Sequence, residues 1–273
     1  MSSSALSSRY RTAFVTGAST GLGGAFTRML LSAGVEVWGT SRDPARLSFS
    51  DARFHPVALE LGDGPAAERS FLAAEKAAGG FDLVINNAGF GAFGSYAHSD
   101  FALWEEQFRV MLVNTARLSQ AALRGMLARH RGALVNISSI AGEFGLPYQA
   151  VYNATKAGLS AFNESLMYEV KGTGVIVIDF RPGDYRTDFE GSVRRPPGAP
   201  GPGQDKAWTA FSAMMQSGPP PAGAAADLQR ALLRGRSGTV RSGHVFQAVI
   251  APFISRFASL ALKRRIQEKY FGL

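Results

Sequence analysis

No cysteine occurs among the 273 residues, which excludes disulfides and any cysteine-ligated metal site. Histidine is scarce as well, with four residues, and neither His98 nor His130 lies near a second histidine or a carboxylate at ligand spacing, so no metal is expected. The N-terminal stretch MSSSALSSRYR lacks the apolar core of a secretory signal, and the expectation is a short flexible arm over 1–11 on a cytoplasmic protein. No internal repeat divides the chain. At 46% apolar residues the length suits one sizeable core, and a single domain over 12–273 is expected.

Acidic residues are few toward the C-terminus. From Ala224 onward nine basic residues (Arg230, Arg234, Arg236, Arg241, Arg256, Lys263, Arg264, Arg265, Lys269) face only Asp227 and Glu268, so this stretch holds seven of the eight net positive charges. The excess marks a contact surface and says little about the ligand of the core. The basic extension over 244–273 interleaves Phe253, Ile254, Phe257, Leu260, Leu262 and Ile266 with its charges, while Pro252 and Arg256 spoil it as a membrane span. Packing on its own or a partner subunit is the favoured reading, and a peripheral membrane contact the disfavoured one.

What is present is a regular alternation. Short β-rich runs at 12–17, 35–40, 53–59, 81–87, 132–139 and 174–180 are separated by apolar-periodic helices at about 21–33, 65–78, 99–129 and 150–171. Apolar strands alternating with helices predict an α/β fold, a single doubly wound parallel sheet with helices on both faces. Such sheets bind ligands beyond the C-terminal ends of their strands. After Thr187 the pattern breaks. RRPPGAPGPGQ (194–204) cannot be regular, DKAWTAFSAMMQ (205–216) can form a short amphipathic helix, and the irregular insert over 188–222 reads as a substrate lid. Phe189, Trp208, Phe211, Met214 and Met215 give that lid a flexible apolar set suited to a lipophilic substrate or to packing the lid on the body.

Two motifs carry chemistry. TGASTGLG (16–23) follows the first strand and opens a helix; glycines at 17, 21 and 23 let the backbone approach a pyrophosphate placed on the helix N-terminus. VYNATKAGL (151–159) puts Tyr152 and Lys156 one helical turn apart, on one face. A phenol titrates near ~10, and bringing it to about 7 takes roughly 4 kcal/mol, which a nearby fixed cation can supply. The pair alone also fits a half-buried tyrosine beside a solvated lysine.

Thr16-Gly17-x-x-x-Gly21-x-Gly23, NNAG at 86–89, Asn114, Ser139, Tyr152-x-x-x-Lys156 and PGDYRT at 182–187 together resemble the short-chain dehydrogenase/reductase family, simple oxidoreductase branch, over roughly 12–188. The resemblance implies a Rossmann fold and an oxidoreductase that interconverts a small-molecule carbonyl and alcohol by hydride transfer. It implies Tyr152 as proton donor or acceptor, Lys156 as stabiliser of the phenolate and partner of the nicotinamide ribose, and Ser139, thirteen residues before Tyr152, as the group that orients the substrate oxygen. Ser138 is expected to end the strand and serve the backbone. Asn114 would hold a water linking Lys156 to solvent, or bond locally as mid-helix asparagines do.

For the cofactor, the resemblance implies contacts from Gly17, Ser19, Thr20, Gly21, Leu22 and Gly23, from Leu61, Asn87, Ala88 and Gly89, and from Pro182, Gly183 and Thr187 beside the nicotinamide. Glu60 stands where relatives commonly carry an aspartate, and Asp184 where they more often carry a small or apolar residue. A homodimer or homotetramer is implied, with no nucleic acid as partner. The alternative function is a non-catalytic dinucleotide-binding regulator. The second strand runs into Ser41 and Arg42 without the acid that would bond a free ribose 2′-hydroxyl, which predicts NADP(H) as the preferred cofactor and NAD(H) as the alternative. Asp43, just before Pro44, is read as a turn residue pointing outward.

Overall fold

The computed structural model describes residues 4–196, 200–255 and 257–273. The first three residues of the arm, 197–199 of the insert and Arg256 of the basic tail lie outside them. In chain order the elements are α1 (Ser4–Ser7), β1 (Thr12–Val15), α2 (Gly21–Ser32), β2 (Glu36–Ser41), β3 (Phe54–Ala58), α3 (Gly64–Ala78), β4 (Leu83–Asn86), α4 (Phe101–Phe108), α5 (Asn114–Ala128), β5 (Gly132–Ile137), α6 (Ala150–Glu169) and β6 (Val175–Pro182). Then follow α7 (Phe189–Ser192), α8 (Gln204–Ser217), α9 (Ala222–Arg234), β7 (Gly238–Ser242), α10 (Ala251–Ser255) and α11 (Leu260–Phe271).

The strands form a 7-stranded parallel sheet in the order β3-β2-β1-β4-β5-β6-β7. Successive side chains point to opposite faces of a strand, so both faces of a buried strand must be apolar. Ala13, Val15, Leu83, Ile85, Ala133, Val135, Ile178 and Phe180 face one layer with Leu30, Leu228 and Leu232 of α2 and α9. Phe14, Val84, Leu134 and Val177 face the other with Phe71, Leu118 and Leu166 of α3, α5 and α6. Strand order reverses between β1 and β4, and this switch point opens a crevice at the strand ends.

Four departures from the sequence reading stand out. Residues 4–11 are docked: α1 lies on α9, Leu6 and Tyr10 are buried, and the Tyr10 hydroxyl donates to the Leu232 carbonyl. The predicted helix over 99–129 is broken by a π-helical turn, Arg109–Val113, between α4 and α5. Helix α9 and the edge strand β7 extend the sheet past the point where the pattern ended; β7 alternates half-buried and exposed residues and so carries little apolar signal. The C-terminal segment packs on its own subunit through Phe271 but leaves most of its other large apolar residues exposed, more than packing on its own subunit alone predicts. No helix among the described residues is long and apolar enough to cross a membrane.

Candidate active site

The turn after β1 is built on glycines. Gly17 has φ +67°, a left-handed conformation. A Cβ on Gly23 would lie 2.1 Å from the Gly17 carbonyl oxygen and 2.5 Å from Asn87 Nδ2, so only glycine lets α2 begin this close to β4. Thr20 makes no side-chain capping bond and the first turn of α2 holds no acid. Free N–H groups and the positive end of the helix dipole therefore face the crevice, which fits the pyrophosphate of a dinucleotide. Across the switch point, Thr16 Oγ1 accepts from the backbone N–H groups of Asn87 and Ala88 at 2.8 and 3.0 Å, and Asn87 Nδ2 donates to the Thr16 carbonyl at 3.0 Å.

At the end of β2, Arg42 is exposed and lines the crevice wall with Ser41. Asp43 lines the same wall, and its carboxylate caps the Ala45 N–H at 3.1 Å. A basic residue the sequence reading missed, Arg46, lines the same wall. Glu60 is exposed and accepts from its own loop, the Gly62 N–H at 2.8 Å.

Tyr152 and Lys156 rise from α6 beside the end of β5. Lys156 is buried, and its Nζ donates to the Ile137 carbonyl at 2.8 Å. Burial lowers its pKa to about 8 against the opposing pull of the Asp179 charge. Burial raises Tyr152 to about 12, opposed by a hydrogen bond with Ser139 and reinforced by the Asp184 carboxylate. Desolvation is the largest influence on both groups. Ser139 Oγ accepts from the Ala141 N–H at 3.0 Å and lies 3.4 Å from the Pro182 carbonyl oxygen, which fixes its hydroxyl beside Tyr152.

Ser138 does more than end the strand: its hydroxyl donates to Asp179 at 2.5 Å, and the Phe180 carbonyl lies at 3.3 Å. Asp179 also accepts from Asn163 Nδ2 at 3.1 Å and Arg181 Nε at 2.6 Å. Asn163 accepts from Asn136 at 2.6 Å, and Asn136 accepts from Asn86 at 2.8 Å. This buried polar chain links β4, β5, α6 and β6 beneath Lys156. Its signal in the sequence was a polar residue inside each apolar strand: Asn86, Asn136 and Asp179.

One cavity of about 1270 Å³ gathers Gly17, Ser19, Thr20, Gly21, Leu22, Ser41, Arg42, Glu60, Leu61, Asn87, Ala88, Gly89, Ser139, Tyr152, Lys156, Pro182, Gly183 and Thr187. Two expected residues stand apart. Gly23 is buried in the turn itself, and Asn114 sits under the β3–α3 loop, donating to the Leu61 carbonyl at 2.5 Å. Its partner is neither local nor Lys156.

The model of the short-chain dehydrogenase family matches residues 11–197. The chain belongs to that family. It is 36% identical over 190 residues to an uncharacterized oxidoreductase of Myxococcus xanthus, covering 66% of this chain and 74% of that protein. It is 33% identical over 183 residues to the 3-oxoacyl-acyl-carrier-protein reductase FabG of Vibrio cholerae, covering 66% and 75%. Among solved structures, a short-chain dehydrogenase of Streptomyces avermitilis superposes with a TM-score of 0.83 at 27% identity, over 94% of this chain and 97% of that one. Neighbours from Burkholderia phymatum, in complex with NAD (TM-score 0.80, 24% identity, 90% and 92% covered), and Burkholderia cenocepacia, with NADP (0.73, 23%, 99% of each), share the fold.

In this short-chain dehydrogenase the family match ends at 197, yet the cavity continues past it. Phe189, Phe211, Met214 and Met215 line it, whereas Trp208 packs edge-on against Phe93 at 5.1 Å between ring centroids. The predicted amphipathic helix of the insert is α8, and Phe211 and Met215 share a buried cluster with Phe93 and Phe271 of α11. Asp184, unexplained by the sequence, accepts from the Gln247 side-chain amide at 2.5 Å and donates its own N–H back to Gln247 Oε1 at 3.3 Å. Burial raises its pKa, opposed by the Gln247 bond. Ser242 and Gln247 hold the Pro182-Gly183 turn from the C-terminal side, a role that needed β7 in place to be seen.

Proposed function

We propose that this oxidoreductase interconverts a carbonyl and an alcohol on a lipophilic substrate, with NADP(H) as preferred cofactor and Ser139, Tyr152 and Lys156 as its acid-base machinery. The observation that carries the reading is the placement of Ser139, Tyr152 and Lys156 together on the wall of the cavity that also holds the glycine cradle. A dinucleotide held by that cradle would supply or take up the hydride. The chain's own groups handle the proton and the geometry. Tyr152, protonated at neutral pH, is a ready donor to a carbonyl oxygen placed against it, and Ser139 can bond the same oxygen and orient it. Lys156 places a positive charge on the side of Tyr152 turned toward β5, 5.7 Å from Nζ to the ring centroid, where it favours the phenolate left behind.

The apolar wall formed by Phe189, Phe211, Met214 and Met215 supports a lipophilic substrate, as does the 3-oxoacyl substrate class named for the Vibrio cholerae relative. Arg42 and Arg46 on the crevice wall, with the Asp43 carboxylate engaged by the Ala45 N–H and the Glu60 carboxylate by the Gly62 N–H, support NADP(H). The test is spectrophotometric turnover with NADPH and NADH on ketones of increasing chain length. Rates that climb with chain length and with NADPH are expected; uniformly better turnover of small polar ketones, or of NADH, overturns the corresponding part of the reading.

A further inference from the structure

The C-terminal segment is fastened at both ends and bare between them. Gln247 ties its start to Asp184, and Phe271 buries its end against α8. In between, Val249, Phe253, Phe257, Leu260 and Leu262 stand exposed, Phe253 by 67% and Phe257 by 77%. Single apolar side chains on a surface are ordinary; a run of them along one segment marks a contact face. Arg264, Arg265 and Lys269 are exposed on α11, and Glu268 is the sole acid from 244 to 273.

This face is continuous with the cavity. Ile254 and Ile266 are each about half exposed, at 48% and 50%, and both line the cavity. Apolar surface therefore runs from the outside of the segment into the substrate space, with Lys263 at its edge. Three occupants can be weighed on charge and hydropathy. A second copy of this face would bring cation against cation. A nucleic acid would satisfy the charge and leave the phenylalanines in water. An anionic lipid surface takes both, with the apolar side chains in the acyl boundary and the basic ones among the headgroups.

We propose that the C-terminal segment, through its described stretches 249–255 and 257–269, docks the enzyme on anionic bilayers, with the cavity mouth turned toward the lipid so that its substrate enters from the membrane. The entry route rests on the lipophilic-substrate reading; the docking does not.

The experiment is sedimentation of the full chain with vesicles of phosphatidylcholine alone and of phosphatidylcholine mixed with phosphatidylglycerol, at low and raised salt. Binding is expected to the mixed vesicles and to weaken with salt. The double variant Phe253→Ser/Phe257→Ser and the charge variant Arg264→Gln/Arg265→Gln/Lys269→Gln should each weaken it by about tenfold or more. Neither should change the thermal unfolding midpoint or turnover of a water-soluble ketone. Absence of binding to mixed vesicles, or binding that both variants leave intact, overturns the proposal. So does a wild-type oligomer that Phe253→Ser/Phe257→Ser dissociates in sedimentation velocity while vesicle binding is unaltered, since the face is then a subunit contact. A preference for small polar ketones beside intact vesicle binding would remove the substrate reading and leave the docking standing.

Discussion

Lys156 donates its ammonium proton to the Ile137 carbonyl at 2.8 Å, and so is anchored to the end of β5 instead of to the Tyr152 oxygen. A flexible side chain is thereby fixed at the turn of strand into site, one residue before the Ser138-Ser139 pair. A buried ammonium with one carbonyl partner is expensive to keep charged, and its lowered pKa of about 8 expresses that cost.

The consequence for stability follows from linkage. The unfolded chain holds the lysine proton to near ~10.4, whereas the folded state releases it near 8, so between these values the unfolded state binds more protons and stability rises with pH. The contribution is present above the unfolded pKa and lost as pH falls through about 8, and amounts to about 3 kcal/mol at most. Urea unfolding from pH 7.5 to 9.5 should give a midpoint that climbs in the wild type, and Lys156→Met should flatten that climb.

Tyr152→Phe removes one hydroxyl and leaves the ring in place. Turnover should fall by about a thousandfold, of the order seen when a general acid is lost, while dinucleotide affinity measured by fluorescence titration changes by less than about threefold. Activity within about tenfold of wild type would mean that the proton comes from elsewhere.

Asp179→Asn tests the buried polar chain. The carboxylate is 1% exposed and accepts from Ser138 and Asn163 on one oxygen and from Arg181 on the other, so an amide in its place must turn its N–H₂ either toward Arg181, which keeps Glu143 as partner, or toward the Asn163 amide and the Ser138 hydroxyl. A loss of about 3 kcal/mol in denaturant unfolding is expected. Because the Asp179 charge holds the Lys156 proton on, its removal should also move the Lys156-dependent limb of the pH-rate profile to lower pH, which a purely structural effect would not do.

Arg42→Ala should cut the preference for NADPH over NADH in kcat/KM by about tenfold or more, the scale of a lost guanidinium-phosphate pair. Arg46→Ala should cause a smaller loss in the same direction. A preference that neither substitution moves excludes both residues from binding the 2′-phosphate.

The fold was legible because it repeats. The central strands are apolar on both faces, since helices cover both, and the helices between them show an apolar stripe, so six strands and the parallel sheet could be read in order. The glycine turn and the Tyr152–Lys156 pair were legible for a different reason: their chemistry depends on spacing within one short segment, and spacing is what a sequence states. Contacts between distant segments were not. That Asn114 would bond Leu61, and that Asn86, Asn136, Asn163 and Asp179 would meet in one buried chain, depends on the sheet bringing residues 16 to 53 positions apart within hydrogen-bonding reach. The same holds for β7, an edge strand with one buried residue in five, and for the N-terminal turn, whose two buried side chains, Leu6 and Tyr10, are too few for a pattern. The pKa values needed the structure most. Sequence places a lysine one turn from a tyrosine, but whether charge attraction or desolvation governs them is set by how much protein surrounds the pair, and here the surroundings prevail.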